Sequence, residues 1–387
     1  MFYKIINRKK KAFTMAADLA GYLLWAPFRL FRRGGPVEGE GIREILVIRT
    51  AYLGDVVMTI PVLCLLKKRF PEARVSFLTS KSAAEVLRNN PYLDEIITYD
   101  PFWFYGTKKS GYFRFIRDFR KRRYDLLIEA RSDIRDLLFL VFPLRARYKI
   151  GFTFGGGGFL LTHAVPYTGV KHKLEYHLDI AGYLGCDTNS FETGVYLTGA
   201  EKSSVRKILG ENGIRGPFIA VHPGARHALR RWRADRYAKL YDMVAERYGA
   251  AIVVLGAPDE MDVVREVVEK MANKPVSLAG RLSIRELAGV ISESSLFICN
   301  NSGPMHIAAA MRVPTVVIHG PSKTYWDAPY GNLHRIIEKP FPCRDLCDEN
   351  SCNNARYHAC MEDISVDDVF HAVEDIIKDL KPSPFKA

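Results

Sequence analysis

Three loops in this sequence place polar residues directly after apolar runs, where an open α/β sheet presents its chemistry. The first lies in "ILVIRTAYLGDVVMTIP", Ile45–Pro61. An apolar run ends, the chain turns through Thr50 to Gly54, and a helical pattern follows. In many nucleotide-binding α/β proteins such a turn is glycine-rich and cradles phosphate. Here one glycine, Gly54, is followed by an acid, Asp55. A carboxylate at that place can cap a helix or accept a proton as a general base. The second loop lies in "VHPGARHALRRW", Val221–Trp232, which leaves its run through Pro223-Gly224 and supplies Arg226, Arg230 and Arg231. Planar guanidinium groups match phosphate oxygens. The third is "CNNSGPMHIAAAM", Cys299–Met311. It turns at Ser302-Gly303 and opens a helix with Pro304 at its first position, which suits a diphosphate at the helix N-terminus. A well-capped helix with no ligand explains the same residues. The stretch "HGPSKTYWDAPYG", His319–Gly331, follows the next apolar run and belongs to the same end of the sheet.

These loops need strands and helices to hold them, and the pattern supplies both. Strands are expected at Glu44–Arg49, Arg74–Leu78, Glu95–Tyr99 and Asp125–Glu129. Helices are expected at Asp55–Phe70, Ser82–Asn89 and, strongly basic, Arg114–Arg123. A second series has strands at Phe218–His222, Ala251–Leu255, Val276–Ala279, Leu296–Cys299 and Thr315–His319. Its helices are Ala234–Tyr248, Met261–Met271, Ile284–Glu293, Pro304–Met311 and Ser365–Leu380. Ser283 with Glu286 forms a capping box. This alternation predicts mostly parallel sheets with helices on both faces. "FGGGGF", Phe154–Phe159, lacks the G-x-G-x-x-G spacing and a strand–helix context, and reads as a flexible loop. The simplest architecture is α/β, two Rossmann-like domains facing each other across a cleft. The boundaries read as residues 1–36 for a basic N-terminal segment, 43–196 and 217–364 for the two domains, and 365–387 for a C-terminal helix and tail. No H-E-x-x-H, P-loop or G-x-S-x-G pattern occurs, which removes the commonest metalloprotease, NTPase and hydrolase readings.

A length of 387 residues suits two domains. The formal net charge of +13 suits an anionic partner, a phosphorylated substrate, a membrane surface or a nucleic acid, with solubility alone as the alternative. Residues 1–43 carry nine Lys/Arg against three Asp/Glu, and residues 103–150 carry thirteen against five. No nucleic-acid-binding motif accompanies that charge. "KAFTMAADLAGYLLWAPFRLFRR", Lys11–Arg33, is an apolar run with basic flanks, interrupted by Asp18 and Pro27. With Trp25, Phe28 and Phe31 near one end, it suits a helix lying on an anionic bilayer. A membrane span and an ordinary packed helix are the alternatives. No cleavage site for a signal peptide follows. Of seven cysteines, Cys343, Cys347, Cys352 and Cys360 crowd into one late loop with His358. Their C-x3-C-x4-C-x7-C spacing departs from paired C-x2-C zinc sites, so free thiols or local packing are expected, with a structural metal as the alternative.

Together, "IRTAYLGDVVMTIPVLCLLKKRFP", "VHPGARHALRRW", "NNSGPMHIAAAMRVPTVVIHGPS" and "CMEDISVDDV" resemble glycosyltransferase family 9, which contains the lipopolysaccharide heptosyltransferases. The resemblance runs from about Arg43 to Asp379. It implies a GT-B fold, an inverting reaction with no essential metal or cofactor, and a nucleotide-sugar donor, usually ADP-heptose. The implied acceptor is a lipid-linked, phosphorylated saccharide of the lipopolysaccharide core. The enzyme would then be peripheral on the cytoplasmic face of the inner membrane, at an anionic surface. Asp55 matches the family's proposed catalytic base, and the dipole of its helix is expected to keep it ionised. The rate is expected to fall at low pH as Asp55 protonates. Arg49, Thr50 and Gly54 beside it are expected on the acceptor side. Arg230 matches a phosphate-binding lysine. Ser302, Gly303, Pro304, Met305 and His306 match the diphosphate turn, and His222, Pro223 and Gly224 join them on the donor side. Asn301 stands where the family usually has an aspartate, so another sugar from another nucleotide donor is an alternative. A non-catalytic saccharide-binding relative is a third reading.

Overall fold

The structure, a computed structural model, describes residues 8–29, 37–347, 350–382 and 384–385. It divides into two compact units, residues 1–193 and 194–387. Among the described residues the first unit holds six parallel strands. They are β1 (Glu44–Ile48), β2 (Arg74–Thr79), β3 (Glu95–Thr98), β4 (Arg123–Glu129), β5 (Arg145–Gly151) and β6 (His163–Ala164). Their order is β3-β2-β1-β4-β5-β6. The second unit holds β7 (Phe218–His222), β8 (Ala251–Val254), β9 (Val276–Ser277), β10 (Leu296–Asn300), β11 (Thr315–Ile318) and β12 (His334–Ile337). Their order, β12-β11-β10-β7-β8-β9, is the same winding read from the other edge. Each sheet therefore has a switch point beside its first strand, between β1 and β4 and between β7 and β10. Chain crossovers leave there in opposite directions, and ligands of open α/β sheets bind there.

The central strands are buried on both faces, as parallel strands covered by helices must be. Ile45 through Ile48 of β1 and all five residues of β7 and of β10 are buried. One face of the first sheet carries a cluster of Leu46, Ile48, Leu127, Ile116, Phe119, Leu137, Leu140, Phe159 and Leu160. In the second unit Ile219, Val221, Tyr237, Tyr241, Ile298 and Val316 share a core with Val369, Val373 and Ile376 of the last helix, Val366–Asp379.

Several elements depart from expectation. The helix expected over Asp55–Phe70 is two helices, Leu53–Val57 and Ile60–Arg69. Pro61 has no N–H for a continuous helix, but at the start of a new one its missing donor costs nothing. The basic helix runs Lys109–Phe119, because Arg123 already belongs to β4. Phe154–Phe159 is not a free loop: it seats the N-terminal helix, Arg8–Arg29. Asp18 Oδ1 accepts the Gly157 N–H at 2.6 Å, and a Cβ at Gly21 would lie 2.3 Å from the Phe159 ring. Among the described residues no helix is long and apolar enough to cross a membrane. Phe31 and the side chains of Trp25 and Phe28 lie outside the described residues.

Candidate active site

Asp55 follows β1, at the switch point of the first sheet. Its Oδ1 lies 3.0 Å from Arg49 Nη2 and 3.3 Å from Lys173 Nζ, and its Oδ2 accepts the Tyr52 N–H at 3.2 Å. Burial by itself would raise the Asp55 pKa. The positive charges of Lys173, Arg49 and Arg131, with the Tyr52 N–H, outweigh it and hold the carboxyl well below the usual carboxylate range. The five-residue helix Leu53–Val57 is too short to supply that effect through its dipole, so the cations replace the cause expected from sequence. The expected low-pH limb from Asp55 moves below the working range with them.

The end of β4 completes this half-site. Arg131 lies 3.6 Å above the Phe104 ring, and Arg135 lies 4.5 Å from the same ring. Asp133 pairs with Arg135 at 2.7 Å and with Arg131 at 3.7 Å. Asp136 accepts the Thr50 hydroxyl at 3.0 Å and Trp103 Nε1–H at 2.9 Å. Glu129 accepts the N–H groups of Ser132 and Arg131 at 2.7 and 3.1 Å. Burial raises the pKa of both Glu129 and Asp136, and for Glu129 the Asp136 charge adds to it. Thus Arg49 and Thr50 are buried and each holds a carboxylate, Asp55 and Asp136 respectively. Gly54 is buried in the short helix.

The second half-site forms at the ends of β7 and β10. Asn300 ties them together. Its Nδ2 donates to Pro223 O (2.7 Å) and Gly224 O (3.2 Å), and its Oδ1 accepts Tyr237 OH (2.6 Å) and Trp232 N–H (3.3 Å). His222 Nε2 lies 3.1 Å from Glu260 Oε2. Gly224 is needed for space, since a Cβ there would lie 2.4 Å from the Glu260 carboxylate. Arg230 Nη1 donates to Asn301 O at 3.3 Å, and its Nη2 lies 3.6 Å from Asp327. Asn301 Nδ2 lies within 3.0 Å of His319 Nε2, Ser322 Oγ and Asp327 Oδ1. The next helix is Gly303–Ala310, with Ser302 before it and Pro304 second. Among the described residues Ser302 makes no side-chain cap, and its buried Oγ has no hydrogen-bond partner. The first-turn N–H groups are therefore not taken by a capping side chain and can serve an anion. Met305 is fully buried in the core and His306 is mostly buried.

Lys173, Arg131, Glu260 and Asp327 were not singled out in the sequence. Lys173, Glu260 and Asp327 lie 118, 38 and 26 residues along the chain from Asp55, His222 and Asn301. Arg131 acts on Asp55 across the chain while also pairing with its near neighbour Asp133. Only Asp327 had a signal, its place in the loop after β11. The four late cysteines are free and line one small cavity with Arg344 and His358. Burial pushes the Cys360 thiol up to about 11. Among the described residues no group of three or more His, Cys, Asp or Glu is arranged to hold a metal ion.

Residues 112–358 match the family model for glycosyltransferase family 9 (heptosyltransferase). The chain is 28% identical over 324 residues to a lipopolysaccharide heptosyltransferase 3 of Escherichia coli, covering 77% of this chain and 91% of that one. Among solved structures, a family 9 glycosyltransferase from Veillonella parvula superposes with a TM-score of 0.76 at 23% identity, covering 87% of this chain and 98% of that one. The Escherichia coli heptosyltransferase WaaC, solved with ADP-2-deoxy-2-fluoro heptose, superposes with a TM-score of 0.65 at 17% identity, covering 86% and 99%. The fold is GT-B.

Proposed function

The chain belongs to glycosyltransferase family 9, the heptosyltransferases, and from that premise we propose that it transfers heptose from ADP-heptose, with inversion, to a phosphorylated, lipid-linked saccharide of the lipopolysaccharide core. It is a glycosyltransferase; the donor, acceptor and stereochemistry are the proposal. The observation that carries it is Asp55, an ionised carboxylate at a switch point, ringed by Arg49, Lys173 and Arg131. Asp55 takes the proton of the acceptor hydroxyl as its oxygen attacks the anomeric carbon. The bond from that carbon to the diphosphate breaks on the opposite face, and ADP departs with the electron pair. Arg230 and the N–H groups opening Gly303–Ala310 neutralise the diphosphate charge. Ser302 Oγ, His222 and the Pro223-Gly224 turn line the same donor half-site. Lys173, Arg131 and Arg135 suit an anionic group on the acceptor.

The relative solved with an ADP-heptose analogue supports the donor reading. Asn301 favours the second reading, a different donor sugar, because it lacks the family's charge. Against that reading, the Asp327 carboxylate lies 3.0 Å from its amide and restores a negative charge there. We place the enzyme peripherally on the cytoplasmic face of the inner membrane, attached through its N-terminal helix. The test is transfer from a panel of ADP-, UDP- and GDP-sugars to core saccharide lacking the outer heptose, read by mass spectrometry. ADP-heptose should be the donor consumed with matching product. Preference for another nucleotide sugar would replace this reading with the second. Asn301→Asp should shift the ratio of donor sugars used while leaving ADP affinity unchanged, and an identical donor profile would show the departure to be neutral.

A further inference from the structure

The N-terminal helix is packed inside out for a water-soluble protein. Helices of such proteins turn their apolar stripe to the core. Here the buried stripe is Thr14, Asp18 and Gly21, at i, i+4 and i+7. Asp18 holds the Gly157 N–H, Gly21 meets Phe159, and Tyr22 packs edge-on against that ring at 5.9 Å. The large apolar residues face outward instead: Phe13 is 73% exposed, Leu24 71%, Leu23 67% and Leu19 65%. Contiguous exposed apolar surface of this kind marks an interaction site.

The helix is not alone. Tyr22 and Phe159 pack on the same core cluster as Ile116 and Phe119 of the helix Lys109–Phe119 and Leu137, Leu140 and Val141 of the π-helical turn Leu137–Val141. All of these elements cover one face of the first sheet. From that layer Phe113 (68% exposed), Phe142 and Leu138 also project outward. Around Phe113 the exposed residues include Lys108, Lys109, Arg114, Arg117, Arg120 and Lys121, with one acid, Asp118. Lys9 and Lys11 are exposed at the start of the N-terminal helix. Apolar tips among cations whose long stems can lie along an apolar surface are what an interfacial surface requires.

We propose that this layer docks on an anionic phospholipid bilayer through two limbs, the outward face of the N-terminal helix and the Phe113 region of Lys109–Phe119. This rests on the peripheral membrane location given above and adds to it the second limb and the residues that meet lipid. Charge selects the occupant. A second copy of this chain would bring the same cations against themselves, whereas anionic headgroups attract them. A nucleic acid would match the cations but leave the projecting Leu and Phe side chains in water.

The test uses the full chain and vesicles of phosphatidylcholine alone or mixed with phosphatidylglycerol. One variant carries Leu19→Ser, Leu23→Ser and Leu24→Ser; the other carries Phe113→Ser, Arg114→Gln and Arg117→Gln. All six side chains are exposed, and none belongs to either half-site, so ADP affinity should stay at the wild-type value. The wild type should sediment with the anionic vesicles and much less with neutral ones. Each variant should weaken that binding by roughly tenfold or more. Normal vesicle binding by the second variant would overturn the second limb, and normal binding by both would overturn the surface. Self-association lost in the variants, without vesicle binding by the wild type, would make the face an interface between copies. Vesicle binding as expected without heptose transfer would leave the surface standing and sink the acceptor reading instead.

Discussion

The two units share one winding and use it for opposite electrostatic purposes. Around the β1/β4 switch point the first unit gathers carboxylates, Asp55, Glu129, Asp133 and Asp136, and interleaves them with Arg49, Arg131, Arg135 and Lys173. Around the β7/β10 switch point the second unit presents an arginine, amides, a hydroxyl and the N-terminus of a helix, and its two carboxylates, Glu260 and Asp327, sit against His222 and Arg230. The first arrangement keeps the Asp55 carboxylate ionised while buried, which suits the proton acceptor proposed for it. The second, on the proposed reading, offers donors to an anion that arrives already charged. One topology thus gives two chemistries because the loops after corresponding strands differ, not because the sheets do.

That contrast breaks if the two sets of residues can be exchanged in effect. The largest consequence is expected from Asp55→Asn. Turnover per folded molecule should fall by about 10²–10⁴, the usual worth of a general base, with ADP affinity near wild type. Folded fraction must be measured alongside, because Arg49, 6% exposed, loses its counter-charge. Arg230→Ala should do the reverse. ADP binding should weaken by about 1.5–3 kcal/mol, the worth of a hydrogen bond to a charged group; calorimetry showing wild-type affinity would move the phosphate contact to Arg226 or Arg231. The smallest effect should come from a site outside both switch points. Ser283 Oγ accepts the Glu286 N–H and Glu286 returns a bond to Ser283 N–H. Ser283→Ala should cost about 1 kcal/mol of stability in denaturant unfolding, while ADP affinity and turnover per folded molecule stay unchanged.

The comparison also explains what could be seen in the sequence. Strands at the switch points were legible, because β1, β7 and β10 are buried on both faces and read as unbroken apolar runs. Helices Ala234–Tyr248 and Ile284–Glu293 were legible to the residue, the latter through its capping box. Strand β5, "RARYKIG", was not, because Arg145 and Arg147 point to solvent and interrupt the apolar run. The helix Lys173–Tyr183 was missed for a similar reason: polar residues recur through it, although Leu174, Ile180 and Ala181 are buried. Its loss hid Lys173, and with it the cause of the Asp55 ionisation. Asp55, Arg230 and the Ser302–His306 turn stood out because each follows an apolar run at once. Glu260 and Asp327 act across gaps of 38 and 26 residues from His222 and Asn301, and no local pattern announces such pairs.

Cations of the first unit, Lys173 foremost, keep the Asp55 carboxylate, the proposed base, deprotonated. The pH dependence of turnover in wild type and Lys173→Met reads this out. On the proposed mechanism the active form is the carboxylate. In the wild type its pKa lies well below the usual carboxylate value of about 4, so no acid limb from Asp55 should appear while the protein is folded. Removing Lys173 leaves burial less opposed and raises that pKa. The variant's rate should therefore fall as pH drops through the raised value, and its rate at neutral pH should fall less than in Asp55→Asn. Stability should follow the same sign. The Asp55 contribution is present above its unfolded pKa and lost as pH falls through the folded one, so Lys173→Met should lose it at higher pH than the wild type. Superimposable pH–rate profiles for wild type and Lys173→Met, after correction for folded fraction, would show that Lys173 does not hold Asp55 ionised.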